Sequence, residues 1–170
     1  MQEPVEMVDV VDKYNSVIGE APRKGIHAKG NKMLHRAVHI FLMDSKNRLW
    51  IEKRGPNTDT MPLHYDCSAA GHVAKGETYE QAALREAAEE LGIKGLKLRH
   101  AFDLPANGLT MNEFVRFYVA RSDRKPRLHE DAYSQELYTI QEIEAKMRIG
   151  EKFTPTFPIF LKWIKENVQG

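Results

Sequence analysis

Residues 71–93 read GHVAKGETYEQAALREAAEELGI, a glycine-flanked loop running straight into an amphipathic helix. Thr78 followed by Gln81 is a capping-box signature, so the helix is expected to start at Tyr79, and Gly92 supplies its C-terminal stop. Leu84, Ala87, Ala88 and Leu91 recur at helical spacing and predict a core-facing stripe. At about 100° per residue, Glu86, Glu89 and Glu90 then fall together on the other side. A solvated acidic face is the ordinary explanation of such a cluster, but local energetics oppose this one. Glu86 and Glu90 are like charges at i,i+4, which destabilises a helix by a few tenths of a kcal/mol, on the order of one weak ion pair. Glu89 and Glu90 also occupy the last turn, where the helix dipole disfavours anions by ~0.3–1 kcal/mol. A hard divalent cation would neutralise the cluster and remove the conflict.

Strand signals surround this unit. VEMVDVVD and the segment after DKYNS predict two short strands, and RAVHIFLMD with RLWIEKR predicts a hairpin turning at SKN. HYDCSAAG reads as one short strand entering the glycine loop. LKLRHAFDL, NEFVRFYVARSD and SQELYTI read as further strands, while QEIEAKMRI and PIFLKWIKENV carry helical spacing, the latter forming a C-terminal helix over about 157–168. The pattern is neither a βαβ alternation nor all-β, so an α/β fold with a mixed sheet between helix layers is expected. With 170 residues, no repeat and no low-complexity linker, the chain is expected to form a single domain, 1–170.

Composition narrows the function classes. A net charge of +1 gives no electrostatic case for nucleic acid. The longest apolar run, AVHIFLM, falls far short of a membrane span, and the N-terminus lacks the basic and apolar regions of a signal peptide. Cys67 is the only cysteine, which leaves no internal disulfide and no cysteine-based zinc cluster. A reduced, cytoplasmic setting is expected.

The spacing within residues 71–93 resembles the Nudix box, GX5EX7REUXEEXGU with U aliphatic, at every fixed position from Gly71 through Glu77, Arg85, Glu86, Glu89, Glu90 and Gly92 to Ile93; Ala87 is a small choice at the first U. The resemblance implies an α/β/α sandwich whose loop and helix bind Mg²⁺ or Mn²⁺, and cleavage of a diphosphate in a small molecule, with no nucleic-acid or membrane partner and a homodimer as a common assembly. Carried over, Glu86, Glu89 and Glu90 are metal ligands with the Gly71 carbonyl beside them. Glu86 is also a candidate base, and Glu77 and Arg85 are supporting residues. Hydrolysis of a phosphoanhydride needs charge neutralised on non-bridging oxygens and a water activated near neutral pH, which a cation on carboxylates supplies. Family members often add an acid from a later loop, here Glu130, Asp131 or Glu136.

The front segment VVDKYNSVIGEAPRKGIHAKGNKMLHRAVHIFLMD is similar to isopentenyl-diphosphate isomerase and to the isomerase-like Nudix hydrolases. That similarity implies a histidine-rich metal site in which His35 and His72 take part, with His27 slightly off the expected spacing. The isomerases carry a catalytic cysteine immediately before the position of Gly71, and here that residue is Ala70. Cys67 lies three positions earlier, and on one extended strand an odd offset turns it to the opposite face as a buried small hydrophobe. The expectation is therefore a metal-dependent pyrophosphohydrolase acting on a nucleoside di- or triphosphate or a related nucleotide derivative, with the isomerase as the alternative. Arg54, Lys53 and Lys75 are candidate phosphate contacts.

Overall fold

The computed structural model describes residues 5–28 and 32–168; residues 1–4, 29–31 and 169–170 of the expected 1–170 domain lie outside that description. The elements are β1 (Met7–Val11), β2 (Val17–Pro22), β3 (His35–Met43), β4 (Leu49–Arg54), β5 (Tyr65–Asp66), β6 (Ala69–His72), α1 (Tyr79–Glu90), β7 (Leu98–Leu104), β8 (Glu113–Arg121), β9 (Ala132–Tyr138), α2 (Ile140–Arg148) and α3 (Phe157–Asn167). The main sheet runs β5-β4-β3-β8-β7, with β6 also on β3 and β9 on β4. Among the described strands only β3 and β8 pair in parallel, in register from His35↔Glu113 to Met43↔Arg121, so the sheet is mixed as expected.

Strand β3 is central because its residues are apolar on both sides, the pattern of a strand covered on two faces. Ala37, Phe41 and Met43 face a core closed by Ile143 of α2 and by Phe157, Phe160, Leu161 and Ile164 of α3. Val38, Ile40 and Leu42 face a second core closed by Ala82, Ala83, Ala87 and Leu91 of α1. The result is a sandwich with α1 on one face and α2 and α3 on the other.

Two departures from expectation shape the site. Strands β3 and β4 pair only through Leu42↔Trp50 and Met43↔Leu49 and then splay apart. The segment 64–72 fills the opening as two pieces rather than one strand. β5 pairs with β4, whereas β6 pairs with β3 from Ala37↔His72 to Ile40↔Ala69. Between them Ser68 donates its amide to Ile40 O and its hydroxyl to Trp50 O, tying the two halves together. The second departure is the face of α1. Its caps are as expected, with the reciprocal Thr78–Gln81 bonds and Gly92 at φ +67°. However, Leu84 points outward and Glu86 is buried. Alanines at 82, 83 and 87 let the helix lie close on the sheet, so the buried stripe is rotated and its flank carries Glu86 and Glu90.

Strands β1 and β2 form a separate hairpin around Val8, Ala21 and Ile26. Bridges Val8↔Ala74 and Val11↔Leu34 dock it between the box loop and the entry to β3. This docking carries Arg23 and His27 over the mouth of the splayed sheet.

Candidate active site

The box loop and α1 meet where β6 ends. A Cβ built on Gly71 would stand 1.9 Å from Glu86 Oε1, so the carboxylate occupies the space that any other residue would fill. Glu90 Oε2 accepts the Ala70 amide at 3.0 Å. Arg85 holds this arrangement from outside. It donates to Glu77 from Nε and Nη2 at 3.0 Å each, to Glu86 Oε1 at 2.6 Å and to the His72 carbonyl at 3.0 Å. Glu77 in turn accepts the Ala74 amide, closing the loop. Glu89 is exposed, 3.4 Å from Arg85 Nη1.

Charge is concentrated here against its own repulsion. Burial, then the neighbouring Glu86, pushes the Glu90 carboxyl up to about 8. Burial also raises Glu86, with Arg85 acting in the opposite direction. The buried Glu86 and half-buried Glu90 carboxylates, held against a backbone cradle with Arg85 bonded to Glu86 and to the loop, form an oxygen-rich site that a hard divalent ion fits.

A second cluster lies beside it. Ring nitrogens of His27 and His72 stand 3.0 and 3.1 Å from Glu113 Oε1 and 2.9 Å from each other. His35 Nε2 is 3.3 Å from the same oxygen, buried, and off the line needed for a hydrogen bond. The ligand atoms of these four residues lie within 4.8 Å of one another. Burial opposes ionisation of Glu113, but the surrounding imidazoles outweigh it and hold the carboxyl well below the usual range. Burial lowers the His72 imidazole, against the pull of Glu113. His72 Nδ1 accepts from Arg23 Nε at 3.2 Å, which places the His72 proton on Nε2. Ligation through Nε2 requires the other tautomer, so Arg23 must leave Nδ1 for an ion to be held there. Three imidazoles and a carboxylate with an orphaned buried nitrogen form a donor set that fits a divalent metal. His27, slightly off the spacing the resemblance implies, belongs to the cluster because the β1–β2 hairpin folds it in; the missing signal was Glu113, an acid at the start of β8 with no local pattern to mark it.

Both clusters open into one cavity of about 430 Å³. Its lining also carries Glu52 and Asp66, unforeseen from sequence, and Arg54, which reaches Asp66 Oδ2 at 3.4 Å and the Thr60 carbonyl at 3.2 Å. Burial and then Asp66 push the Glu52 carboxyl up to about 7. Of the late acids, Asp131 lines this cavity, Glu130 lines an adjoining outer one, and Glu136 is turned away to Tyr138. Lys53 pairs with Glu151 and Lys75 with Glu20, both away from the cavity.

The strand-parity argument for Cys67 fails, because residues 64–72 are not one strand. Cys67 packs in the core on the α2 and α3 side, and Ala70 packs against the same core. The thiol is nevertheless 2% exposed and donates to the Ala69 carbonyl at 3.1 Å. Burial, then Asp66, pushes it well above its ordinary range, as expected of a buried small hydrophobe.

Comparison with known proteins agrees with this geometry. The NUDIX domain matches residues 33–157, and the chain belongs to that family. A Nudix hydrolase of Deinococcus radiodurans is 32% identical over 149 residues, covering 86% of both chains. A crystal structure from the same organism superposes with a TM-score of 0.79 at 30% identity, covering 92% of this chain and 98% of the other. An isopentenyl-diphosphate Delta-isomerase of Serratia proteamaculans is 32% identical over 168 residues, covering 95% of this chain and 93% of its own. Family membership and the complete box together make the chain a pyrophosphohydrolase of Nudix type. Among the described residues no helix is long and apolar enough to cross a membrane.

Proposed function

We propose that the chain is a Mg²⁺-dependent hydrolase, with Mn²⁺ as a substitute, that cleaves a phosphoanhydride bond of a nucleoside di- or triphosphate or a related nucleoside diphosphate derivative. The observation that carries this reading is the convergence of Glu86 and Glu90 on the backbone of Gly71 and Ala70. A divalent cation bound there supplies charge neutralisation on phosphate oxygens and lowers the pKa of a bound water. Glu86, Glu89, Glu90 and the Gly71 carbonyl would hold it. Arg85 and Glu77 keep the loop and the carboxylates in register. Glu86, buried beside Gly71, is placed to take a proton from the attacking water, and Asp131, which lines the same cavity, is the acid that assists. Arg54 and Arg23 supply positive charge to the remaining phosphate oxygens.

Within the family we place the chain with the isomerase-like hydrolases, because His27, His35, His72 and Glu113 form a second ligand set beside the box. The isomerase reaction itself is disfavoured by Ala70. The chain would act as a single domain in the cytoplasm; a homodimer rests on the family resemblance alone. The test is a phosphate-release screen with Mg²⁺ and with Mn²⁺ across nucleotides, nucleotide sugars, dinucleoside polyphosphates and prenyl diphosphates. Metal-dependent release from a nucleotide is expected, and no release from any compound with either ion would sink the reading.

A further inference from the structure

The imidazoles of the histidine cluster are not all held in the same tautomer. His35 Nδ1 lies 3.1 Å from the Met33 carbonyl, a group that can only accept, so Nδ1 carries the proton and Nε2 keeps its lone pair. That Nε2 is buried and without a hydrogen bond, 3.3 Å from Glu113 Oε1. His35 therefore stands in the form that ligation by Nε2 requires. His72 is held the other way. Arg23 Nε is 3.2 Å from His72 Nδ1, and a guanidinium can only donate, so the lone pair is on Nδ1. The proton sits on Nε2, 3.1 Å from Glu113 Oε1. Burial lowers this imidazole, so near neutral pH the ring has a single proton to place.

The fold fixes Arg23 in this position. It follows Pro22 at the end of β2, its amide donates to the Glu6 carbonyl at 2.8 Å, and its Nη1 donates to Glu6 Oε2 at 2.7 Å. Its side chain is exposed, and the pair with Glu6 holds the guanidinium at the surface once it has left the ring. We infer that Arg23 is a positioning residue that sets the ion occupancy of the histidine cluster: a guanidinium on His72 Nδ1 and a divalent ion on His72 Nε2 are alternatives, and each displaces the other. Ligation takes the proton from Nε2 and leaves the neutral ring protonated at Nδ1. That N–H would face the Arg23 N–H, donor against donor, with a positive charge on either side of one ring. A partner that accepts the far proton of a ligating histidine strengthens metal binding by about 10- to 100-fold; Arg23 is a partner of the opposite kind and weakens it. The inference rests on the reading of His27, His35, His72 and Glu113 as a ligand set, and goes beyond it in naming what opposes loading.

The test follows the His72 ring nitrogens by NMR in chelator-stripped protein and measures Mn²⁺ affinity by calorimetry. Binding lost on His27→Ala isolates the cluster from the box. Ion-free wild type is expected to show His72 protonated at Nε2, and loading with diamagnetic Zn²⁺ to move the proton to Nδ1. Arg23→Met, which keeps the length of the side chain and removes its donors, should turn ion-free His72 toward the Nδ1-protonated form. The same variant should bind Mn²⁺ at the cluster about 10- to 100-fold more tightly than wild type. Arg23→Lys, which restores a charged donor, should return both readouts toward wild type, and Arg23→Met combined with His27→Ala should show no gain. His72 already protonated at Nδ1 in ion-free wild type, or equal Mn²⁺ affinity in wild type and Arg23→Met, would overturn the inference. Failure of the underlying reading looks different: Mn²⁺ binding that His27→Ala leaves untouched even beside Arg23→Met means no ion at the cluster, and takes the inference down with it.

Discussion

Glu86 fills the space that a side chain on Gly71 would need, so the two residues fix each other: the glycine exists to admit the carboxylate. Gly71→Ala forces Glu86 outward by about the width of a methyl group, and misplacement on the order of 1 Å at a reacting centre costs roughly 10²-fold in rate. The expected outcome is a folded protein with kcat reduced by about that factor and weakened Mg²⁺ activation. Steady-state kinetics across a Mg²⁺ titration checks it, and wild-type turnover would show that Glu86 needs no such cradle.

Glu90 gives a pH prediction. Its folded carboxyl stands at about 8 against an ordinary 4.5, so the folded state holds this proton more tightly than the unfolded chain. Stability from this group is therefore full below about 4.5, falls as pH rises, and levels off above about 8. His72, with a lowered imidazole, works in the opposite direction, so the informative quantity is the difference between two proteins. The Tm of metal-free Glu90→Gln minus that of wild type should grow between pH 5 and about 8 and then flatten. The same variant should lose most activity. A Tm difference independent of pH would show that Glu90 ionises freely.

How much of this was legible from residue order depends on whether the cause is local. The caps of α1 were, because Thr78, Gln81 and Gly92 act within a turn of the helix they bound. The rotation that exposes Leu84 was not, since it depends on how closely three alanines let α1 approach a sheet assembled from distant segments. Glu113 and Glu52 carry no local pattern either. Each is one acid in an ordinary strand, and its meaning comes from the neighbours the topology supplies. The break of residues 64–72 into two strands follows from the splay of β3 and β4, which no periodicity within the segment encodes.

Among the late-loop acids, only Asp131 lines the cavity with the box carboxylates. Asp131→Asn is expected to lower kcat about tenfold or more, within the range typical of lost general acid–base assistance. Glu136→Gln should leave it unchanged, since Glu136 is bonded to Tyr138 on the other side of β9. Parallel assays of the two variants decide it, and equal rates would remove Asp131 from the reaction.

The histidine cluster predicts a stability linkage. An ion held by the folded state alone raises Tm in proportion to the logarithm of its concentration over Kd. Adding Mn²⁺ to chelator-stripped wild type should therefore raise Tm by several degrees, about what 1–3 kcal/mol gives a domain of this size. His27→Ala should abolish the part due to this cluster while leaving the box intact. An unchanged Mn²⁺ shift in that variant would mean the imidazoles hold no ion.

The last prediction is that the enzyme does not isomerise isopentenyl diphosphate, although an isomerase is among its relatives. The reaction moves a proton across an unactivated alkene and needs an acid and a base on opposite sides of the carbon skeleton. Position 70, where the resemblance places one of them, is an alanine, and a methyl group can neither give nor take a proton. Cys67 packs toward the same core as Ala70, so direction alone does not exclude it. What excludes it is its state: the thiol is 2% exposed, already donates to the Ala69 carbonyl, and does not line the cavity. Burial and Asp66 hold it well above the range in which a thiolate forms near neutral pH. A deuterium-exchange assay with isopentenyl diphosphate and Mg²⁺ should show no label entering the allylic product, with diphosphate hydrolysis followed in the same sample. Exchange at an enzymatic rate, abolished by Cys67→Ser, would place Cys67 in the reaction and return the isomerase to first place.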